Sequence, residues 1–361
     1  MTIIATPIIR GFPYVLSGAA AQAGWISPLI SSVLLFGIML ILNYYVFKKH
    51  DGKNLIDVSN ELLSKPVGIV IGFVYLAWVI ILLGFYIRYF GEHISSNIMS
   101  ESAFEFIIIS MLILVGIVLS KSIVYYARLN EVIFTCFSFA FIITGVISLF
   151  TKVKIDNLLP VSQRDIVPIL KGSLQGISLF GYYVFIFFMF DDVKIENNNL
   201  KLEAKSALAV GLLSTLVMIV TIGAIGYNTV LRINDSYFMI AKNIDVLGFL
   251  ERLDSILFVM WILADFTTIT IFAYIATSIV KTILKEFKKF EKFEKMQSYV
   301  SYGILAIAYF VAIYVFNSKF VLEAFAKGSF IICNIILTTA LPIILFIATI
   351  IRKKLLKRLN K

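Results

Sequence analysis

The chain reads as an all-α integral membrane protein of about ten transmembrane helices, and three observations predict that class. Of its 361 residues, 60% are hydrophobic and only 15% charged, with a mean hydropathy of +0.94. Soluble domains lie nearer half apolar and a quarter charged, so lipid has to cover what one aqueous core cannot. Apolar runs recur at about 20 residues, the length a helix needs to cross a bilayer. The net charge is +10 and the pI about 9.4, but the basic residues sit in short runs between apolar segments. That is the pattern of positive-inside topology, and it argues against nucleic acid as a partner.

The spans follow in order. The first, Thr2 to about Gln22, is irregular, and the second is Trp25–Phe47. The third, Pro66–Phe90, leads into a polar stretch at Glu92–Glu101. The fourth is Phe104–Ser120, and the fifth runs from Ser122 to Phe150. A more polar segment, Thr151–Lys171, precedes the sixth span at Gly172–Phe190. The seventh is Ala204–Val230, followed by an amphipathic stretch, Leu231–Asp254. The eighth is Ser255–Leu284, the ninth Ser298–Phe316 and the tenth Phe320–Ile351. A basic tail, Arg352–Lys361, closes a single polytopic domain over residues 1–361.

One set of loops carries Lys48, Lys49, Lys53, Lys65, Lys121, Lys194, Lys201, Lys205, the run Lys281–Lys295 and the tail. These are roughly 20 basic residues against roughly nine opposite, which makes that side, and both termini, cytoplasmic. The runs Lys285–Lys295 and Arg352–Lys361 can also meet anionic headgroups, which makes membrane lipid a partner.

Five helices plus five is the count of inverted-repeat transporters, whose first and sixth helices are broken near the midplane. Pro7, Gly11, Pro13 and Gly18 mark the first span, and Gly172, Gly176 and Gly181 the sixth. Proline removes a helix hydrogen bond, and glycine leaves helical dihedrals at low cost.

Chemistry-bearing motifs are sparse. Cys136 and Cys333 lie inside apolar segments and read as two buried free thiols, and His50 and His93 are the only histidines. A structural zinc site needs about four ligands, so no metal or cofactor is expected. No nucleophile–base set, P-loop or dinucleotide fingerprint is present, which argues against an enzyme.

One intramembrane helix is sharper. Asp265, Thr268 and Phe272 fall at i, i+3 and i+7, on one face. A charged residue inside a membrane helix costs about 2.5–3.5 kcal/mol on insertion scales and marks function by default. Asp265 can take up a proton, pair with a ligand amine or pair with Lys327. Thr268 can offer its hydroxyl to a ligand carboxylate or close a bond on its own helix. Arg128 and Glu131, at i and i+3, are placed to pair.

An ordered set of short motifs carries a family resemblance over nearly the whole chain. It comprises Pro13 followed by Gly24-Trp25-Ile26-Ser27; Lys48-Lys49-His50; Arg88; Ala127-Arg128-Leu129-Asn130-Glu131; and Asp156-Asn157-Leu158-Leu159-Pro160. Pro168 to Gly172, Phe180-Gly181, Glu251-Arg252-Leu253-Asp254-Ser255 with Trp261, and Leu341-Pro342 complete it. The set resembles the B subunit of spore germination receptors, a branch of the amino acid–polyamine–organocation superfamily. The resemblance implies a nutrient-recognition subunit in the inner membrane of bacterial endospores, working with receptor A and C subunits on a small germinant, typically an amino acid. An autonomous amino acid transporter and a degenerate scaffold subunit share the fold and remain open.

Family position places the ligand between the first and sixth helices, with the third and eighth lining it. That assigns Trp78 and Leu82, Phe180 and Gly181, and the Asp265, Thr268 and Phe272 face to binding. Aligned on Pro13, the chain lacks roughly the first half-helix of the family, and Thr6 falls where the family has a glycine. The expectation is in-frame coding sequence upstream of Met1. Tyr183 stands where the family often has an acidic residue, so a cationic ligand group loses that partner.

Overall fold

The computed structural model describes residues 2–43, 50, 53–97, 104–192, 199–233, 235–243, 253–287 and 290–359. Among them the chain is helical, without a strand. The α-helices are α1 (Thr2–Ala20), α2 (Ser27–Leu40), α3 (Leu55–Leu62), α4 (Lys65–Asn97), α5 (Phe104–Leu119), α6 (Ile123–Thr151), α7 (Ile166–Phe180) and α8 (Asn199–Ile225). They continue with α9 (Tyr227–Val230), α10 (Ser236–Lys242), α11 (Leu253–Glu286), α12 (Phe290–Phe310), α13 (Lys319–Lys327), α14 (Ser329–Ile335) and α15 (Leu341–Leu359).

Seven helices of the described residues are long and apolar enough to cross a membrane, or eight if one bent pair counts as a span. With 16 residues, α5 is a shorter apolar helix; at 1.5 Å per residue it covers about 24 Å.

The bent pair locates the first break. α1 runs on through Pro7 and Pro13, and the chain then turns by 108° between Gly11–Trp25 and Ser27–Asn43. No break falls within Pro7–Gly18: α1 continues to Ala20, the 108° turn comes after Trp25, and the first departure from α-helix is at Ala21. This residue adopts φ 47°, the left-handed region that ends an α-helix, and a short 3-10 turn follows over Ala21–Trp25. The sixth span, Gln163–Met189, is one continuous helix rather than a broken one, and what changes at the expected glycine is its winding. α7 stops at Phe180, and Gly181–Asp192 continues as a 3-10 helix. Such runs rarely exceed three or four residues, so twelve is exceptional.

The chain forms two compact units. The first comprises Met1–Met39, Asn130–Tyr182 and Asn197–Ala264; the second comprises Leu40–Leu129, Tyr183–Glu196 and Asp265–Lys361. In the first, α2 and α7 are stitched by hydroxyls. Ser27 Oγ donates to the Ile169 carbonyl at 3.1 Å, Ser31 Oγ to the Ser173 carbonyl at 2.8 Å, and Ser173 Oγ back to the Ser27 carbonyl at 3.3 Å. Glycine makes this approach possible: a Cβ on Gly176 would lie 2.3 Å from Ser31 Oγ, and one on Gly172 2.6 Å from Ser27 Oγ. Small residues and interhelical hydroxyl bonds are what hold membrane helices together, where apolar burial gives no advantage over lipid.

In the second unit α4 is the central helix. It packs against α3, α5, α12 and α13. Two segments of this unit, Val311–Val315 and Ile336–Ala340, are wound as π-helix, a form that concentrates at functional sites.

Candidate functional site

Six of the nine residues assigned to binding belong to the second unit: Trp78, Leu82, Tyr183, Asp265, Thr268 and Phe272. The α11 stripe is buried as its spacing predicts: Asp265 is 2% exposed, and Thr268 and Phe272 are 0%. On α4, Trp78, Leu82 and Tyr86 recur every four residues, so they form one stripe as well, and all three are buried.

Rings join the two stripes. Phe272 stacks on Tyr86 with centroids 5.5 Å apart and an interplanar angle of 13°, and meets Phe185 of the 3-10 run edge-on at 5.7 Å. Tyr75, one turn before Trp78, contacts Phe185 at 6.2 Å and Phe188 at 4.8 Å, both edge-on. Edge and offset contacts are the geometry the ring quadrupole favours.

Polar bonds complete the layer. Trp78 Nε1 donates to Asn334 Oδ1 at 2.9 Å, and the Tyr75 hydroxyl donates to the Leu337 carbonyl in the π-wound segment. Ser278 Oγ donates to the Phe188 carbonyl at 2.7 Å, and the Tyr126 hydroxyl to the Thr267 carbonyl at 3.1 Å. Tyr183 accepts from Asn43 Nδ2 at 2.8 Å and meets Phe187 edge-on. Tyr183 thus presents a phenol already engaged by an amide.

Phe180 and Gly181 lie in the first unit. Phe180 is fully buried, with its ring 4.9 Å from Phe12 of α1, so the first and sixth spans do meet. The side chain of Thr6 lies outside the described residues, as do Lys48, Lys49, Lys194, the side chains of the run Lys288–Lys295 and those of the tail beyond Arg352.

The other candidates are placed as follows. Lys327, one candidate partner of Asp265, is about half-exposed and pairs with Glu323 at 3.8 Å, one turn back on α13. Arg128 and Glu131 are both exposed, and neither forms an ion pair among the described residues. Both cysteines are free, but Cys136 is exposed rather than buried. Arg88 pairs with Glu92 and lies over the Phe104 ring at 4.2 Å, so its charge is held within the protein rather than reaching out to water.

Sequence reasoning missed Tyr75, Phe185 and Asn334. Asn334 had a signal, as the lone amide in the apolar run Phe330–Leu337. Tyr75 had a weaker one, three residues before Trp78 on the same helix face.

A helical chain of many spans, with a buried carboxylate and hydroxyl on one intramembrane face, defines a polytopic membrane protein of the permease type. The family model of the spore germination proteins, the spore permeases, matches residues 1–321, and the chain belongs to that family. It is 25% identical over 260 residues to Spore germination protein A2 of Bacillus subtilis (strain 168), covering 72% of this chain and 70% of that protein. It is also 25% identical over 268 residues to Spore germination protein YndE of the same organism, covering 73% and 72%.

Proposed function

We propose that this chain is the germinant-recognising B subunit of a spore nutrient receptor, held in the inner membrane of the endospore beside A and C subunits. The observation that carries the reading is the family match over residues 1–321. The germinant is a small nutrient, an amino acid, and the chain carries out no chemical step on it.

The second unit supplies groups suited to such a ligand. Asp265 offers a carboxylate to an amine or a proton, and Thr268 offers a hydroxyl to a carboxylate. Trp78, Leu82, Tyr183 and Phe272 offer apolar walls. Few polar groups in a mostly apolar lining is the usual character of a small-molecule site. Thr6, Phe180 and Gly181 keep the assignment their family positions give them.

The test is a dose–response series with graded amino acids on spores carrying each variant at matched receptor level. Asp265→Asn is expected to shift the germinant concentration dependence or its pH profile while membrane level stays at wild type. Leu82→Ala is expected to admit a ligand larger by one methylene, a change worth about 1–3 kcal/mol in recognition. Phe180→Ala and Gly181→Ala form a separate arm. Parental responses from every variant would remove the site assignment. The permease character of the family favours one rival, an autonomous transporter. Uptake of labelled amino acid by vesicles holding this chain alone would select it.

A further inference from the structure

Outside the candidate site, the second unit has a long groove between α5 and α12 of about 500 Å³. Ile109, Ile113 and Gly116 line one wall, and Tyr302, Ala306 and Phe310 the other. Ile109, Ile113, Tyr302 and Phe310 are exposed there. Gly116 leaves room for the facing ring: a Cβ there would be 3.2 Å from the Tyr302 ring.

A second cavity, of about 290 Å³, is polar. It is lined by Ser120, Lys121, Ser122, Gln297 and Ser298, with Tyr274 of α11. The two follow one another along both helices. Gly116 is four residues from Ser120, and Ser298 four residues from Tyr302, about one helical turn each. From Ile109 to Ile117 the groove runs about 12 Å at 1.5 Å per residue, and to Leu119 of the polar cavity groove and cavity together run about 15 Å. That is half of a hydrocarbon core about 30 Å thick, the depth of one leaflet.

Charge identifies what belongs at the polar end. Lys121 is exposed and forms no ion pair among the described residues. Ser120 Oγ donates to the Ile117 carbonyl at 2.7 Å, whereas the side chains of Ser122, Gln297 and Ser298 hold no hydrogen bond among the described residues. Three neutral donors and one cation suit a phosphate oxygen. Lys121 also belongs to the basic set that positive-inside topology assigns to the cytoplasmic face.

We infer that this is a binding site for an anionic phospholipid, its acyl chain in the α5–α12 groove and its phosphate among Ser122, Gln297, Ser298 and Lys121. The site stands independently of germinant recognition. Its occupant is a lipid rather than free phosphate, because the apolar groove leads into the polar pocket with the length of one leaflet.

The test uses the purified full chain in detergent micelles, with phosphatidylglycerol, phosphatidylcholine of the same chains, or inorganic phosphate. Native mass spectrometry is expected to show phosphatidylglycerol retained about fivefold more tightly than phosphatidylcholine, the effect of one basic residue near an anionic headgroup. Lys121→Gln is expected to erase that preference while both lipids still bind. Ala306→Trp fills the groove and is expected to reduce retention of both. Phosphatidylglycerol with a photoreactive acyl chain is expected to label α5 and α12 peptides, and less so in Ala306→Trp. Equal retention of the two lipids by the wild type, a preference that survives Lys121→Gln, or labelling confined to other helices would overturn the site. So would inorganic phosphate competing as well as phosphatidylglycerol. A photoreactive residue placed at Ile113 in the native membrane should capture lipid; capture of a protein helix there would overturn the assignment to lipid.

Discussion

The α2–α7 seam of the first unit and the ring layer of the second both hold helices together without help from water, by opposite means. The seam uses the smallest side chains available, so backbones nearly touch and serine hydroxyls reach carbonyls of the facing helix. The layer uses the largest, and Tyr86, Phe272, Phe185 and Tyr75 keep α4, α11 and the 3-10 run apart by the width of their rings. Close backbone packing tolerates little added volume, because the serine hydroxyl in the way can turn aside only by giving up its bond to a carbonyl. Ring packing has side-chain torsions to adjust, and it borders backbone already wound away from the α form. A rigid seam suits a scaffold, and an adjustable layer suits a place where a ligand has to enter.

The sharpest way to break that contrast is to add volume to the seam. Gly176→Ala is expected to cost about 1–3 kcal/mol, because the new methyl must displace a Ser31 hydroxyl already engaged with carbonyls. Gly176→Leu is expected to remove the protein from the membrane. Thermal unfolding in micelles and immunoblots of membrane fractions read both, and a wild-type melting temperature for Gly176→Ala would end the claim of rigidity. The ring layer should respond more mildly. Phe272→Leu loses a stacked and an edge contact, each worth about 0.5–1.5 kcal/mol, and should lower the melting temperature while the protein still accumulates.

A smaller effect should come from the Trp78–Asn334 bond. Interhelical hydrogen bonds in membranes average about 0.6 kcal/mol and reach about 1.7, so Trp78→Phe should fall in that range. The double variant with Asn334→Leu should destabilise less than the sum of the single changes. Additive effects would mean that the bond contributes nothing.

The smallest effect lies outside both regions, at α3. The Glu61 carboxylate is held below its ordinary value of 4.5, first by its hydrogen bond from Lys53 and then by His50 at 2.9 Å, with burial opposing. A carboxyl lowered on folding stabilises above its unfolded pKa, and that contribution is lost as pH falls through the folded one. Thermal stability should therefore decline below about pH 4.5, and Glu61→Gln should flatten that decline slightly. The pair is partly exposed, so the change is small.

The spans were legible because hydropathy and length report directly on lipid. The first break was misplaced because prolines and glycines advertise themselves, whereas Ala21 does so only through its backbone angle. Cys136 shows a related limit: an apolar run looks the same whether a given side chain faces lipid or protein. In the site, Asp265, Thr268 and Phe272 were legible as a stripe because local helix geometry fixes them. Their neighbours Tyr75 and Phe185 come from other helices, and no spacing within one helix reports which distant ring will fill a gap. The Gly181 transition was legible because only the chain's own flexibility was needed to see it.

The twelve-residue 3-10 run has a consequence for pitch. At about 2.0 Å per residue it extends roughly 24 Å, whereas the same residues as α-helix would extend roughly 18 Å. Three residues per turn also set Phe185 and Phe188 one above the other, which is why the single ring of Tyr75 meets both. At 3.6 residues per turn, Phe188 would be rotated about 60° from Phe185, and the two rings would no longer stand in one column. Length and ring alignment are therefore geared together in this segment: drawing it in by about 6 Å would unstack the column, and holding the column fixes the length.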